Sequence, residues 1–431
     1  GRLLAELARN PDIDTAIRAA ALAVQDSGSA TVDSAAHTAH TGENTEEGGD
    51  DESGVRGRST AIAVDRATAV RAAESVLGPL SALADADHLD AVTATAVLDG
   101  RDPSPATTAI LQLLPLAPDP NATADRVRLL RRCTIATPGT AVHQFTDCVE
   151  IPHLYLEYTR GTLDRLFVGR KKYTPSLLPP PLMELLTATP ATAPLRLMIV
   201  PTGFFHIPFD ALPVTADTHV LDHALVSIHG SLTSALSLMR LEEQRTPSPA
   251  LAIYDHELKH AQPELDALLT ALDRVQRVDS LPDLGHEMTV ETTQPFSLLA
   301  MAVHGSADDH GWGQAKKLRD DEGNTVWVTA AQALSWTVPR LCVLASCNTP
   351  ISAPNGIEVG GFPLALMLRG ATTVIGGLYN IDDKATSDIM ITFWRRLGSG
   401  ESALSALRNA KLDYLQINPD YRRLWPEYWA G

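Results

Sequence analysis

The sequence predicts an α/β domain built on a mostly parallel sheet in its C-terminal half, and three features carry that expectation. Short apolar runs alternate with helix-patterned segments over residues 195–415, the arrangement in which helices cover a parallel sheet. One run, Leu298-Leu299-Ala300-Met301-Ala302-Val303, is apolar without a break, as a strand buried on both faces requires. Two runs end in reactive side chains: Val303 leads into His304-Gly305, and Ala345 into Ser346-Cys347-Asn348. Strands are expected at 195–200, 250–254, 298–303, 341–345 and 373–378. Helices are expected at 209–212, 264–275, 361–368, 384–397 and 402–415.

The rest of the chain divides by composition. Its 431 residues suit two or three units. Residues 1–24 read as a helical tail. Shifted by 390 positions they match the C-terminal region, with Leu7, Ala16, Ile17, Arg18, Ala20 and Leu22 falling on Leu397, Ala406, Leu407, Arg408, Ala410 and Leu412, as the end of a preceding unit would. The chain starts at Gly1, and is read as a piece lacking its original N-terminus. Residues 25–60, poor in large apolar side chains and densely acidic over 42–52, read as a flexible linker. Residues 61–135, rich in Ala and Leu, read as a helical region. Residues 136–190 read as a β-hairpin and Pro-rich lead-in, and 191–431 as the α/β domain.

Bulk properties exclude several functions. A formal charge of −17 leaves no basic surface for nucleic acid. No apolar stretch reaches the roughly 18 residues of a membrane helix, so no membrane partner is expected. The four cysteines form no C-x-x-C pair, which suggests neither a disulfide framework nor a zinc knuckle and fits a reducing cytoplasm.

The chemistry concentrates at the two strand ends. In open α/β sheets, sites form beyond the C-terminal ends of the strands. A thiol attacks a carbonyl as thiolate, or with a neighbouring base to take its proton, and an imidazole serves as that base. His304 and Cys347 lie 43 positions apart, room for one crossover, so their strands can be neighbours. Gly305 can turn its backbone N–H toward a substrate oxygen. With the N–H of Cys347 it would form an oxyanion hole. Cys342, mid-strand with no histidine beside it, reads as core. Asp382 and Asp383 precede a helix and read as its N-terminal cap. A metal cluster among Asp308, Asp309 and His310 is not supported by ligand spacing.

At these residues the sequence resembles the CHAT family of bacterial caspase-like proteins, related to caspases and separase. The resemblance covers about 195–415. It rests on Ile199-Val200-Pro201-Thr202-Gly203, His206-Ile207-Pro208-Phe209-Asp210-Ala211-Leu212, Ala302-Val303-His304-Gly305, Val343-Leu344-Ala345-Ser346-Cys347-Asn348-Thr349, Gly370-Ala371-Thr372-Thr373-Val374, Asp382-Asp383 and Ala406-Leu407-Arg408. It implies a caspase-like (hemoglobinase-type) three-layer sandwich. It also implies a cysteine endopeptidase in which His304 moves the proton, Cys347 carries the acyl group, and Gly305 and Cys347 hold the oxyanion. No metal or organic cofactor is implied. A protein or peptide substrate and an upstream regulatory module or protein are the partners implied, in a bacterial stress or defence setting.

The family's substrate pocket, between the first and catalytic strands, makes His206, Asp210 and Asn348 candidates to line it, with Asp210 selecting a basic side chain. The family often has Glu and Gly where Asn348 and Pro350 stand. The competing reading is a catalytically inactive interaction scaffold, which would have no chemical need for His304, Gly305 and Cys347 together. A small-ester hydrolase of another fold would call for a G-x-S-x-G elbow, which the sequence lacks.

Overall fold

The computed structural model describes residues 107–424 apart from 117–125, 138–139, 141, 153–176, 203, 206, 231–248, 290–295, 307–314, 335, 347–350, 353–358 and 379–381. The tail 1–24, the linker 25–60 and residues 61–106 lie outside the described residues. What is described is a mixed α/β arrangement with two five-stranded sheets.

The first sheet is formed by β1 (Thr108–Pro115), β2 (Arg126–Ala136), β3 (His143–Pro152), β4 (Leu195–Pro201) and β5 (Ala224–Ile228), in the order β3-β2-β1-β4-β5. β1 runs parallel to β4, and β4 to β5, while β2 is antiparallel to both β1 and β3. Here the structure corrects the sequence reading. The described part of the 61–135 region is strand rather than helix, and β1–β3 are hydrogen-bonded into one sheet with β4 and β5, so at this sheet the lead-in and the α/β domain are continuous. β1 is a doubly covered central strand, so its apolar run Ala109-Ile110-Leu111 shows no alternation to betray it. β2 does alternate, but one inward position is Arg131. It is 3% exposed and forms a bidentate ion pair with Asp147, its cross-strand partner on β3.

The second sheet holds β6 (Ala250–Tyr254), β7 (Val275–Val278), β8 (Leu298–Ala302), β12 (Leu341–Leu344) and β15 (Thr373–Gly376), in the order β15-β12-β8-β6-β7 and parallel throughout. Between them in sequence lie β9 (Gly305–Ser306), β10 (Ala315–Arg319), β11 (Thr325–Thr329), β13 (Ile351–Ser352) and β14 (Val359–Gly360). β9, β10 and β11 form a small antiparallel sheet, and the β10–β11 turn uses Gly323 at φ 80°, where a side chain would be strained.

The helices are α1 (Pro180–Ala188), α2 (Val220–His223), α3 (Ala261–Ala271), α4 (Leu281–Thr289), α5 (Ala330–Ala333), α6 (Gly361–Leu368), α7 (Asp383–Gly398), α8 (Ala403–Ile417) and α9 (Pro419–Leu424). They cover the second sheet on both faces. Ala250, Ala252, Leu298, Ala300 and Val343 pack with Leu265 of α3 and Ile389, Phe393 and Trp394 of α7. The alternate residues Leu251, Ile253, Leu299, Met301, Cys342 and Leu344 pack with Leu284 and Met288 of α4 and Phe362 and Leu366 of α6. Asp382 caps α7 as expected, its carboxylate accepting from the Ala385 N–H at 2.8 Å. No helix among the described residues is long and apolar enough to cross a membrane.

One carboxyl is sealed into this core. Glu264 of α3, 3% exposed, accepts from the Tyr254 hydroxyl at 2.9 Å and from Trp394 Nε1 at 3.4 Å. Burial pushes its pKa up to about 7, with the Asp383 charge acting the same way and the two donors opposing. A folded-state pKa above the unfolded value means that this group's stability is full below about pH 4.3 and is lost as pH rises through 7, where ionisation costs about 3 kcal/mol. Glu264→Gln keeps the acceptor oxygen and cannot ionise. It is expected to raise the unfolding free energy by about 3 kcal/mol at pH 8 and by about half of that at pH 5.5, as urea unfolding at both pH values measures. An equal gain at both would contradict this account.

Candidate functional site

β8 is the middle strand of the second sheet, with β6 on one side and β12 on the other, all three parallel. Their C-terminal ends therefore open on the same edge. Beyond β6 come Asp255 and Glu257, beyond β8 comes His304, and beyond β12 come Ala345 and Ser346. The ladder continues past the strands on both sides of β8: Asp255 N–H donates to Ala302 O at 2.8 Å, and Ala345 N–H to Met301 O at 2.8 Å. After that β12 turns sharply, with Ser346 N–H donating to Leu344 O at 2.8 Å, a three-residue turn of the kind that ends strands. The first four residues of β8 each pair with the residue 43 positions later on β12, from Leu298 with Leu341 to Met301 with Leu344.

His304 is exposed at this edge, and its main chain is held in place. Its carbonyl accepts from Lys317 N–H at 2.9 Å, and the following Gly305 lies opposite Lys316 in the β9–β10 pairing. A nitrogen of the imidazole and one carboxylate oxygen each from Asp255 and Glu257 lie within 4.8 Å of one another. These acids already carry counter-ions. Lys317 contacts Asp255 at 3.8 Å and makes a short ion pair with Glu257, and Arg319 makes another. The hydrogen bond from Lys317 is the main cause holding the Glu257 carboxyl below its usual pKa. Ion pairs thus already engage both carboxylates of this donor set. A cavity of about 150 Å³ beside it is lined by Tyr254, Asp255, Arg277, Asp279, Lys317 and Arg319.

A lysine that the sequence reading passed over lies beneath this edge. Lys316 of β10 is 0% exposed, donates to Ser346 Oγ at 2.6 Å, and stands over the Phe362 ring at 5.7 Å from its centroid. Along β10 the side chains alternate: Lys316 and Leu318 point inward, and Lys317 and Arg319 point toward Glu257.

Of the residues singled out by sequence, His304 and Gly305 stand together at the edge of the second sheet. Cys347, His206 and Asn348 lie outside the described residues, as do Asp308, Asp309 and His310. Asp210 stands elsewhere. It sits in the 3₁₀ turn Phe209–Ala211 after β4, in the first sheet, with its carboxylate paired to Lys411 of α8 at 2.7 Å beside a cavity of about 20 Å³. The first strand of the sheet that carries His304 is β6 rather than β4, so Asp210 does not lie between the first strand of that sheet and β8.

The remaining thiols are inert or remote. Burial pushes Cys133 up to about 12 and raises Cys342 as well, as expected for core cysteines, while Cys148 is exposed on β3. A family model described as CHAT domain matches residues 174–431, more than half of the chain. No curated protein was found to match it.

Proposed function

Because the chain belongs to the CHAT-domain family, we propose that it is a cysteine endopeptidase of caspase-like, three-layer architecture, with His304 and Cys347 as its catalytic dyad. The family is a protease-related one. One observation carries the finer reading: β8 and β12 are adjacent, parallel and offset by 43 positions, and His304 and Cys347 are separated by the same 43 positions. That shared spacing supports a dyad drawn from the ends of two neighbouring strands, at the edge of the sheet where ligands bind in such folds.

In the mechanism that follows, His304 takes the thiol proton as the sulfur attacks the substrate carbonyl. The resulting tetrahedral oxyanion is held by the backbone N–H groups of Gly305 and Cys347. Collapse expels the amine, which receives its proton from His304, and leaves a thioester on Cys347. Water, activated by the same imidazole, releases the acid. The substrate is a protein or peptide, bound in part by His206 and Asn348, under the control of an upstream module in a bacterial cytoplasm. No cofactor enters any step.

A peptide acyloxymethyl ketone tests this reading. It is expected to add once to the wild-type chain at Cys347, read by mass spectrometry of the digest, and not to the Cys347→Ala variant. Equal labelling of the variant would remove the assignment.

A further inference from the structure

We propose that the cavity at the ends of β6, β7 and β8 is a subsite for an acidic side chain of the peptide substrate, whose carboxylate is received by Arg277 and Arg319. The peptidase reading supplies the substrate, and the site itself is built from the residues that border the cavity.

The cavity, of about 150 Å³, is bordered by Asp255 after β6, by Arg277 and Asp279 at the end of β7, and by Lys317 and Arg319 of β10. Asp255 also holds a carboxylate oxygen within 4.8 Å of an imidazole nitrogen of His304. A group bound in the cavity therefore lies beside the residue read as the proton carrier, at the sheet edge where ligands bind in such folds. An apolar cavity of about this size holds a benzene molecule, so a glutamyl side chain fits whole. Ile253, Val303 and Leu318, each at most 3% exposed, border it too and suit the methylenes of such a side chain, while the arginines suit its charged end.

Hydrogen-bonding capacity decides the sign of the ligand. Arg319 is fixed at two points, with Nη1 donating to Gly323 O at 2.9 Å and Nη2 paired with Glu257. Its Nε is buried and has no hydrogen-bond partner among the described residues. A buried donor left unpaired is costly, and a ligand or water that completes it explains its presence. Arg277 donates from Nε to Asp279 Oδ1 at 2.7 Å, and its two terminal nitrogens make no hydrogen bond among the described residues. Donors are thus in surplus on two separate strands.

The acceptors are engaged. Asp255 accepts from the Glu257 N–H at 3.0 Å through Oδ1, and its Oδ2 lies 3.8 Å from Lys317. The Asp279 side chain is 70% exposed, so it can turn into water and release Arg277 to a ligand. A carboxylate accepts from two N–H groups at once and answers the surplus. A lysyl or arginyl side chain would bring further donors to a wall that already carries too many.

Two measurements test the subsite. The first needs no cleavage: the arginine Nε–H resonances of the nitrogen-15-labelled chain are followed by NMR during titration with N-acetylglutamic acid α-methylamide, whose only carboxylate is in the side chain. The Arg277 and Arg319 resonances are expected to shift saturably, and the glutaminyl and lysyl counterparts of the probe to leave them in place. Resonances unmoved by the glutamyl probe, or moved as far by the lysyl one, overturn the proposal. The second is a positional peptide library ranked by kcat/KM. One position relative to the cut bond is expected to prefer Glu over Gln by about tenfold, because charge-assisted hydrogen bonds are stronger than neutral ones. Arg277→Gln is expected to lower that ratio to about threefold or less, and Arg277→Lys, which keeps the charge without the fork, to fall between. A library without an acidic preference at any position, or a ratio unchanged in Arg277→Gln, overturns the subsite. The two failures stay apart: a chain that binds the glutamyl probe and cleaves no peptide loses the peptidase reading but keeps a carboxylate site, whereas one that cleaves peptides and ignores the probe loses the subsite alone.

Discussion

His304→Ala is expected to lower kcat/KM for a cleaved peptide by about a thousandfold, within the range of about 10² to 10⁴ that positioned acid–base groups contribute. The loss should fall on kcat, because in the proposed mechanism the imidazole moves a proton in both half-reactions and is not asked to hold the substrate in the ground state. Stability should hardly change. The side chain is exposed, and the fold uses this residue through its carbonyl, which accepts from the Lys317 N–H and which alanine retains. Stopped-flow or steady-state kinetics paired with thermal unfolding separates the two effects. A variant that keeps more than about a tenth of the wild-type kcat would be incompatible with general-base catalysis by His304.

The second large effect concerns the scaffold. Arg408→Ala is expected to reduce the unfolding free energy by about 4 kcal/mol, since each buried carbonyl left without a donor costs about 1–3 kcal/mol. Arg408 of α8 is 6% exposed and donates from Nε to Leu221 O at 2.8 Å, and from Nη2 to Asp222 O at 2.6 Å and Ala191 O at 3.0 Å. Two of these carbonyls belong to the short helix α2, which is too brief to satisfy its own end, and the third to the turn after α1. Burial lowers the Arg408 pKa from its ordinary value, but the guanidinium remains charged and its planar fork reaches all three acceptors. A single ammonium has no such fork, so Arg408→Lys should recover only part of the loss. Denaturant unfolding reads the difference, and a loss below about 1 kcal/mol for Arg408→Ala would show that water replaces the clamp.

How far the sequence revealed the fold depends on how each element is buried. β6, β8 and β12 were legible because parallel strands covered on both faces must be apolar throughout, and their limits follow the apolar runs closely. The same property concealed β1, whose unbroken run lies among Ala- and Leu-rich segments and matches a buried helix equally well. β2 was masked by Arg131, an inward charge that makes sense only once Asp147 is seen across the ladder. β7 went unread, its first residue Val275 closing an expected helix, and α1 was absorbed into the Pro-rich lead-in, although Pro180 and Pro181 occupy first-turn positions that proline suits.

The site divides along the same line. His304 and Gly305 were readable because a reactive group at the end of an apolar strand is a local signal. Lys316 was not, because nothing local marks a lysine as buried, and its partner Ser346 is 30 residues away. Asp210 shows the same limit: its carboxylate pairs with Lys411, 201 positions later, a partner that no local pattern reveals.

The central claim is that the ends of β8 and β12 bring an imidazole and a sulfur into one crevice. The most direct measurement is a crystal structure of the chain trapped with a peptide acyloxymethyl ketone. The account predicts a thioether on Cys347 Sγ, a nitrogen of His304 within about 4 Å of it, and the inhibitor's carbonyl oxygen turned toward the Gly305 N–H. An adduct on another residue, or Cys347 and His304 on opposite faces of the sheet, would contradict it.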